Sequence, residues 1–387
     1  MKTIHIIGMG PAGLMAGTEL LKRGFRVNFY DHKNVPARKF LVAGHGGFNL
    51  TNADTLADFV DQYDSELIRN AVRQFTNEDL IGFLVDIGIP TYKGTSGKIF
   101  PEKHIKPITV LNKWLDYIRS FGNVLFHFEH KLTGFDEDGL VFEHQGTEKR
   151  ISKDNGVIFA LGGGSWAKTG STGEWLSLFE SNGISVRSFA SSNAGMETGF
   201  PDFLKKYEGS TIKNALFKLG AKSRAGEVVI TGYGLEGAPV YYLNGEYRAG
   251  NRQLFIDFKP AFEVEKIRSV LENSKNVTEG LKQLKLPHFL IDYLKSELTK
   301  EQFLSLEFLA RKIKNVSFEI RSLRSVEESI STVGGILLSS VNADFSLKKY
   351  PRFYTIGEML DWDAPTGGYL LQACFSMGIV AGRAVEK

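Results

Sequence analysis

Four short runs in this 387-residue chain place glycines and polar groups at spacings that could do chemistry. The first is Gly8-Met9-Gly10-Pro11-Ala12-Gly13, set between an apolar strand pattern (Thr3 to Ile7) and a helical pattern. A second strand pattern, Arg26 to Tyr30, ends on Asp31. Gly8 permits the tight turn, Gly10 lets backbone approach a pyrophosphate, and Gly13 lets helix and strand pack closely. The helix N-terminus that follows, at Pro11 and Ala12, offers unpaired N–H groups and partial positive charge to phosphates. Asp31 stands where an acid can accept hydrogen bonds from a ribose hydroxyl. A lone glycine pattern would say little. Strand, glycines, helix, second strand and terminal acid in order point to a dinucleotide.

The second run, "RKFLVAGHGGFNLTN", follows directly at residues 38 to 52. Gly44, Gly46 and Gly47 would let backbone lie against a cofactor where any side chain would collide with it. Asn49, Thr51 and Asn52 supply neutral donors and acceptors, and Lys39 supplies charge for a pyrophosphate or a substrate anion. His45 is the candidate catalytic residue, a hydrogen-bond or proton donor; the plainer alternative is a structural or exposed loop histidine. The third run is a strand (Gly156 to Ala160) broken at Gly162 and Gly163, then a loop with Lys168, Ser171 and Thr172 and a helix from about Gly173 to Asn182. The fourth closes the chain: a strand (Arg352 to Ile356), Gly357-Glu358, then Gly367-Gly368-Tyr369-Leu370 opening a helix with Ala, Gly and Ser on its packing face.

These pieces, "GMGPAGLMA", "RKFLVAGHGGFNLTN", "GKIFP", "ALGGGSWAKTGSTGEW", "STVGGI" and "IGEMLDWDAPTGGYLLQACFSMGIVAG", resemble the YhiN/BaiN-like bacterial FAD-dependent flavoproteins and extend over nearly the whole chain. The resemblance implies an α/β fold: a Rossmann-like FAD-binding domain of glutathione-reductase type with an inserted β-barrel plus helical domain. It implies that FAD lies extended, its ADP part on the N-terminal unit and its ribityl and flavin parts near Gly357-Glu358 and the last helix. It also implies a flavoprotein oxidoreductase acting on a small organic molecule. The cofactor residues so implied are Gly8, Gly10, Pro11, Ala12, Gly13, Asp31, Lys39, Gly44, Gly46, Gly47, Asn49, Thr51, Ala160, Gly162, Gly163, Gly357, Glu358, Gly367, Gly368, Tyr369 and Leu370. One departure stands out. Many members read Gly-Gly-Gly-Arg-Cys-Asn where this chain has Gly44-His45-Gly46-Gly47-Phe48-Asn49, with Gly47 at the arginine position and Phe48 at the cysteine position, so thiol chemistry beside the flavin is absent here and the substrates of better-known members do not transfer.

The elements that must hold these residues follow from pattern. Residues 1–190 and 326–387 read as a discontinuous FAD-binding domain, 191–260 as an inserted barrel of short strands, and 261–325 as an inserted helical domain, with 262 to 320 reading as helices. Capping boxes open helices at Thr76 with Asp79 and at Thr299 with Gln302. "KLTGFDEDGLVFEHQGTEKRI" reads as a β-meander turning at Asp138-Gly139, and "YKGTSGKIFPEKH" as a loop, either near a ligand or an exposed connector. Such an insertion places a substrate in a cleft between insert and flavin; Tyr233 in the barrel could line it, although a barrel aromatic is more often core.

Composition sets the outer bounds. With 47 Lys+Arg against 44 Asp+Glu, the net charge of +3 is spread along the chain, so a nucleic-acid partner is not expected. The single cysteine, Cys374, excludes an internal disulfide or a cysteine-based zinc site, and no histidine pair sits at metal-ligand spacing; no metal is expected. The N-terminus runs straight into a strand and no window approaches eighteen uninterrupted apolar residues, so no membrane association and a cytoplasmic protein are expected. A second complete glycine fingerprint is missing, which leaves NAD(P)H open as electron donor. The alternatives are an FAD-dependent RNA-modifying protein and a flavin-binding module without turnover.

Overall fold

The apolar pentapeptide Thr3–Ile7 forms the central strand of a five-stranded parallel sheet ordered Phe353–Thr355, Val157–Phe159, Thr3–Ile7, Arg26–Tyr30, Val124–His127. Ile6 pairs with Ile158 on one side and Phe29 on the other. The inner strands of this sheet are buried on both faces and so read as apolar runs, whereas the edge strand Val124–His127 is only half buried. The computed structural model describes residues 1–42, 47–94 and 96–386. It divides into one unit of Met1–Ser191 with Val326–Lys387 and a second of Ser192–Ser325.

In the first unit the opening helix Pro11–Lys22 packs against the closing helix Tyr369–Ala384. Small residues set that contact: a Cβ on Gly378 would lie 2.6 Å from the Ala12 carbonyl oxygen, and one on Gly382 3.1 Å from that of Ala16. The helix Asn77–Asp86 opens with the expected capping box, Thr76 and Asp79 each accepting the other's backbone N–H. The meander is present as Lys131–Phe135, Gly139–His144 and Thr147–Ser152. Its turn is held by Asp136, whose carboxylate accepts the Asp138 and Gly139 N–H groups. The stretch expected to be a loop near a ligand is instead largely a hairpin, Thr91–Lys93 with Lys98–Pro101, extended by Thr51–Asn52. Stacking of Tyr92 on Phe100 across the strands and burial of Ile99 outweigh its glycine content.

The second unit is a closed six-stranded barrel, ordered Met196–Thr198, Gly234–Glu236, Lys222–Ile230, Thr211–Leu219, Gln253–Asp257, Val316–Leu323. Its last strand lies in the stretch that read as helical, and its alternating burial of Val316, Phe318 and Ile320 is a period of two. The helices between, including Val264–Glu272, His288–Glu297 and Leu306–Lys314, share one apolar core with the barrel. The second expected capping box is formed by Thr299 and Gln302.

Candidate functional site

A cavity of about 690 Å³ runs along the carboxyl ends of the parallel strands in the first unit. Gly8, Gly10, Pro11, Asp31, Lys39, Ala160, Gly162 and Glu358, drawn from all four glycine-bearing runs, line it. Gly8 has φ +103°, and a Cβ there would lie 2.2 Å from the Ala160 carbonyl oxygen; a Cβ on Gly13 would lie 2.1 Å from the carbonyl oxygen of Gly8. Both positions are forced by protein packed against protein. Gly10 differs: a Cβ there would meet nothing within 4 Å, because its α-carbon faces the open cavity at the start of the opening helix. Ala12 and Gly13 are buried beneath this turn.

Asp31 closes the second strand. Its carboxylate accepts the Met9 N–H at 3.2 Å and the Lys33 N–H at 2.9 Å, which ties it to the glycine turn. Burial pushes its pKa up, against the pull of the two N–H groups and the neighbouring His32 and Lys33. At the other side, Lys39 in the short helix Arg38–Val42 donates to Glu358 at 2.8 Å and to Ser165 at 2.8 Å. The third run is braced from behind: Trp175 Nε1 donates to the Gly162 carbonyl, Ser171 to that of Gly163, and Thr332 Oγ1 accepts the Gly164 N–H.

The rest of the second run gathers elsewhere. Thr51 is fully buried and its hydroxyl donates to Gln372 at 2.8 Å. Asn52 donates to the Gly367 carbonyl at 3.1 Å, and the Asn49 amide oxygen accepts the Gly368 N–H at 2.7 Å. A Cβ on Gly368 would lie 2.3 Å from the Thr51 carbonyl carbon. Tyr369 is buried, donates to Asp54 at 2.5 Å, and its carbonyl accepts from Tyr63 at 2.7 Å; Leu370 packs on the same core. These residues therefore fasten the Asn-Leu-Thr-Asn segment to the start of the closing helix. None of Gly47, Asn49, Thr51, Gly163, Gly357, Gly367, Gly368, Tyr369 and Leu370 lines the described cavity. Gly44, His45 and Gly46 lie outside the described residues. Tyr233 belongs to the second unit, where its hydroxyl donates to Glu236 and Arg324 stacks on its ring at 4.2 Å.

The HI0933-like protein Rossmann domain matches residues 2–384. The chain belongs to that family. It is 25% identical over 414 residues to the 3-dehydro-bile acid delta(4,6)-reductase of Clostridium scindens, covering all of both chains. It is 23% identical to the ribosomal RNA dihydrouridine synthase of Haemophilus influenzae, covering 99% of this chain and 98% of the other. Among solved structures it resembles an open flavocytochrome c3 fumarate reductase, with TM-score 0.54 at 12% identity over 98% of this chain and 77% of that one. It likewise resembles the 3-ketosteroid-delta4-(5alpha)-dehydrogenase of Rhodococcus jostii RHA1, with TM-score 0.50 at 13% identity over 98% and 96%. The first unit is thus the Rossmann-type FAD-binding domain of an HI0933-like protein, and the barrel with its helices interrupts it.

The cavity of this HI0933-like chain fits the adenosine and pyrophosphate parts of FAD on three counts. Gly10 leaves open space at a helix N-terminus. A buried carboxylate stands one strand away. Lys33 and Arg38, both lining the cavity, have no ion-pair partner among the described residues. Sequence reading missed three lining residues: Arg38, which precedes Lys39; Trp175, which ends the third run just ahead of the helix Leu176–Ser181; and His130, which stands just before the meander. Cys374 is buried against Gly357, and burial together with the nearby Glu358 pushes its thiol pKa well up, so it is an inert core residue. Among the described residues no group of three or more His, Cys, Asp and Glu could hold a metal, and no helix is long and apolar enough to cross a membrane.

Proposed function

We propose that this protein holds FAD along the cavity and uses it to oxidise or reduce a small organic molecule. The protein is an FAD-dependent oxidoreductase. Bound flavin supplies hydride transfer at its N5, and the chain's own residues bind, orient and exclude water. Gly8 to Pro11 and the opening helix would take the pyrophosphate, Asp31 a ribose hydroxyl, and Glu358 the ribityl side. Gly367 to Leu370 and the Asn49 to Thr51 segment would shape the flavin end. The observation that carries the reading is the convergence of the glycine turn, Asp31, Gly162 and Glu358 on one cavity. The reductase relative supports a small-molecule substrate.

Purified protein should be yellow, release FAD on denaturation, and be bleached by NADH or NADPH in stopped flow, then reoxidised by an enone or other acceptor. Protein that carries no flavin and takes none up refutes the reading; flavin that no donor reduces and no acceptor reoxidises leaves a binding module.

One observation favours a second reading, reduction of a base in RNA. Residues 192–325 carry 21 Lys+Arg against 16 Asp+Glu, while the rest of the chain carries 26 against 28. A relative is named for ribosomal RNA. Loss of dihydrouridine from the RNA of a strain lacking the protein would favour this reading; an unchanged nucleoside profile removes it.

A further inference from the structure

Two cations stand side by side on the short helix Arg38–Val42, and both line the cavity. Their circumstances differ. The Lys39 ammonium donates to Glu358 Oε2 at 2.8 Å and Oε1 at 3.2 Å, and to Ser165 Oγ at 2.8 Å. Ser165 is fully buried, and the side chains of Lys39 and Glu358 are only 26% and 17% exposed. An ammonium has three donors, so this one is committed to the pair. Arg38 is exposed and has neither an ion pair nor a side-chain hydrogen bond among the described residues.

An ammonium neutralised by a carboxylate exerts little net attraction on a pyrophosphate, and the carboxylate beside it repels one. The same carboxylate retains lone pairs after accepting from Lys39 and can take hydrogen bonds from hydroxyl groups. The pair therefore suits the polyhydroxy part of a ligand. Charge for the phosphates must come from the helix N-terminus at Gly10 and from a cation with no ion-pair partner among the described residues; of the two that line the cavity, Lys33 stands beside Asp31 and acts on its carboxylate, which leaves Arg38.

We propose that Lys39 is a positioning residue, fixing Glu358 to accept hydrogen bonds from the ribityl hydroxyls of FAD, and that Arg38 is the side chain that meets the pyrophosphate. This rests on the reading of the cavity as an FAD site. It links three distant segments: Lys39 after the dinucleotide unit, Ser165 in the third glycine run and Glu358 before the closing helix.

ADP carries the diphosphate but no ribityl chain, so it separates the two roles. The experiment is the dissociation constant of FAD and of ADP, by calorimetry on full-length apoprotein, for wild type, R38Q, K39M, E358Q and K39M/E358Q. K39M and E358Q should each weaken FAD about tenfold, the scale of a hydrogen bond to a charged group. Both should leave ADP unchanged, and the double variant should resemble E358Q alone. R38Q should weaken FAD and ADP alike. ADP affinity also reports whether each variant is folded; should K39M fail to fold, K39R and E358Q decide, with K39R expected to keep FAD affinity. Equal loss of ADP and FAD in a folded K39M, or losses from K39M and E358Q that add, would overturn the assignment. A wild-type protein that binds ADP but not FAD sinks the FAD reading instead.

Discussion

Asp31 illustrates the cost of a prepared site at the scale of a residue. Its folded-state pKa lies above the ordinary value because burial outweighs the Met9 and Lys33 N–H groups. A raised carboxylate contributes stability that is present below its unfolded pKa of 3.8 and lost as pH rises through the folded value. At neutral pH the charge is therefore a burden on the apoprotein. Asp31→Asn should leave the apoprotein melting temperature at pH 7 equal or higher while weakening FAD about tenfold, as loss of a charged acceptor does; a destabilised apoprotein with unchanged FAD affinity would contradict this. Asp31 was legible in the sequence because it ends a local motif. Thr51 was not, since its partner Gln372 lies 321 residues away and a polar residue next to glycines reads equally as ligand contact or as internal fastener. Lys39 was legible only in part: its charge was visible, its partner Glu358 was not.

At the scale of elements, the two ends of the chain meet through glycine. Gly378 seats the closing helix on Ala12 and Ala16 of the opening helix, where a Cβ would come within 2.6 Å and 3.0 Å of backbone atoms that cannot step aside. Gly378→Val should separate the helices and destabilise the protein by about 1–3 kcal/mol, the usual cost of overpacking. Because Ala12 follows the glycine turn proposed to take the pyrophosphate, flavin occupancy on purification should fall as well; a variant with unchanged melting temperature and full flavin would disprove the coupling. The parallel sheet makes a second prediction. His5 and His127 flank Tyr30, and burial lowers both histidine pKa values despite Asp154 beside His5. A lowered pKa gives stability present above the unfolded value of 6.5 and lost as pH falls below it. The melting temperature should decline between pH 7 and 5, and His127→Phe should flatten that decline. Periodicity foretold the sheet and both capping boxes. It misplaced Val316–Leu323, because a strand that follows helices in sequence joins its barrel only through partners met much earlier in the chain.

The whole molecule joins two self-contained cores, and this makes the division of labour testable. The described lining of the cavity belongs to the first unit alone. The strands bordering the insertion, Val186–Ser192 and Ser331–Ile336, lie in one two-stranded sheet, so the chain leaves and returns at neighbouring points. Insertions at such points are tolerated, and so is their removal. The second unit closes its own barrel and buries its own core, and its 134 residues are enough for an independent domain. Replacing residues 193–325 by a short Gly/Ser linker should therefore leave a folded protein that still binds FAD and is still yellow. Expressed alone, residues 192–325 should unfold cooperatively and bind no flavin. If the insertion carries substrate, the shortened protein should lose turnover with any acceptor that the full chain reduces, while dithionite still bleaches its flavin. Shortened protein that folds but releases FAD would show that the second unit is part of the cofactor site, and shortened protein with full turnover would show that the substrate is held by the first unit alone.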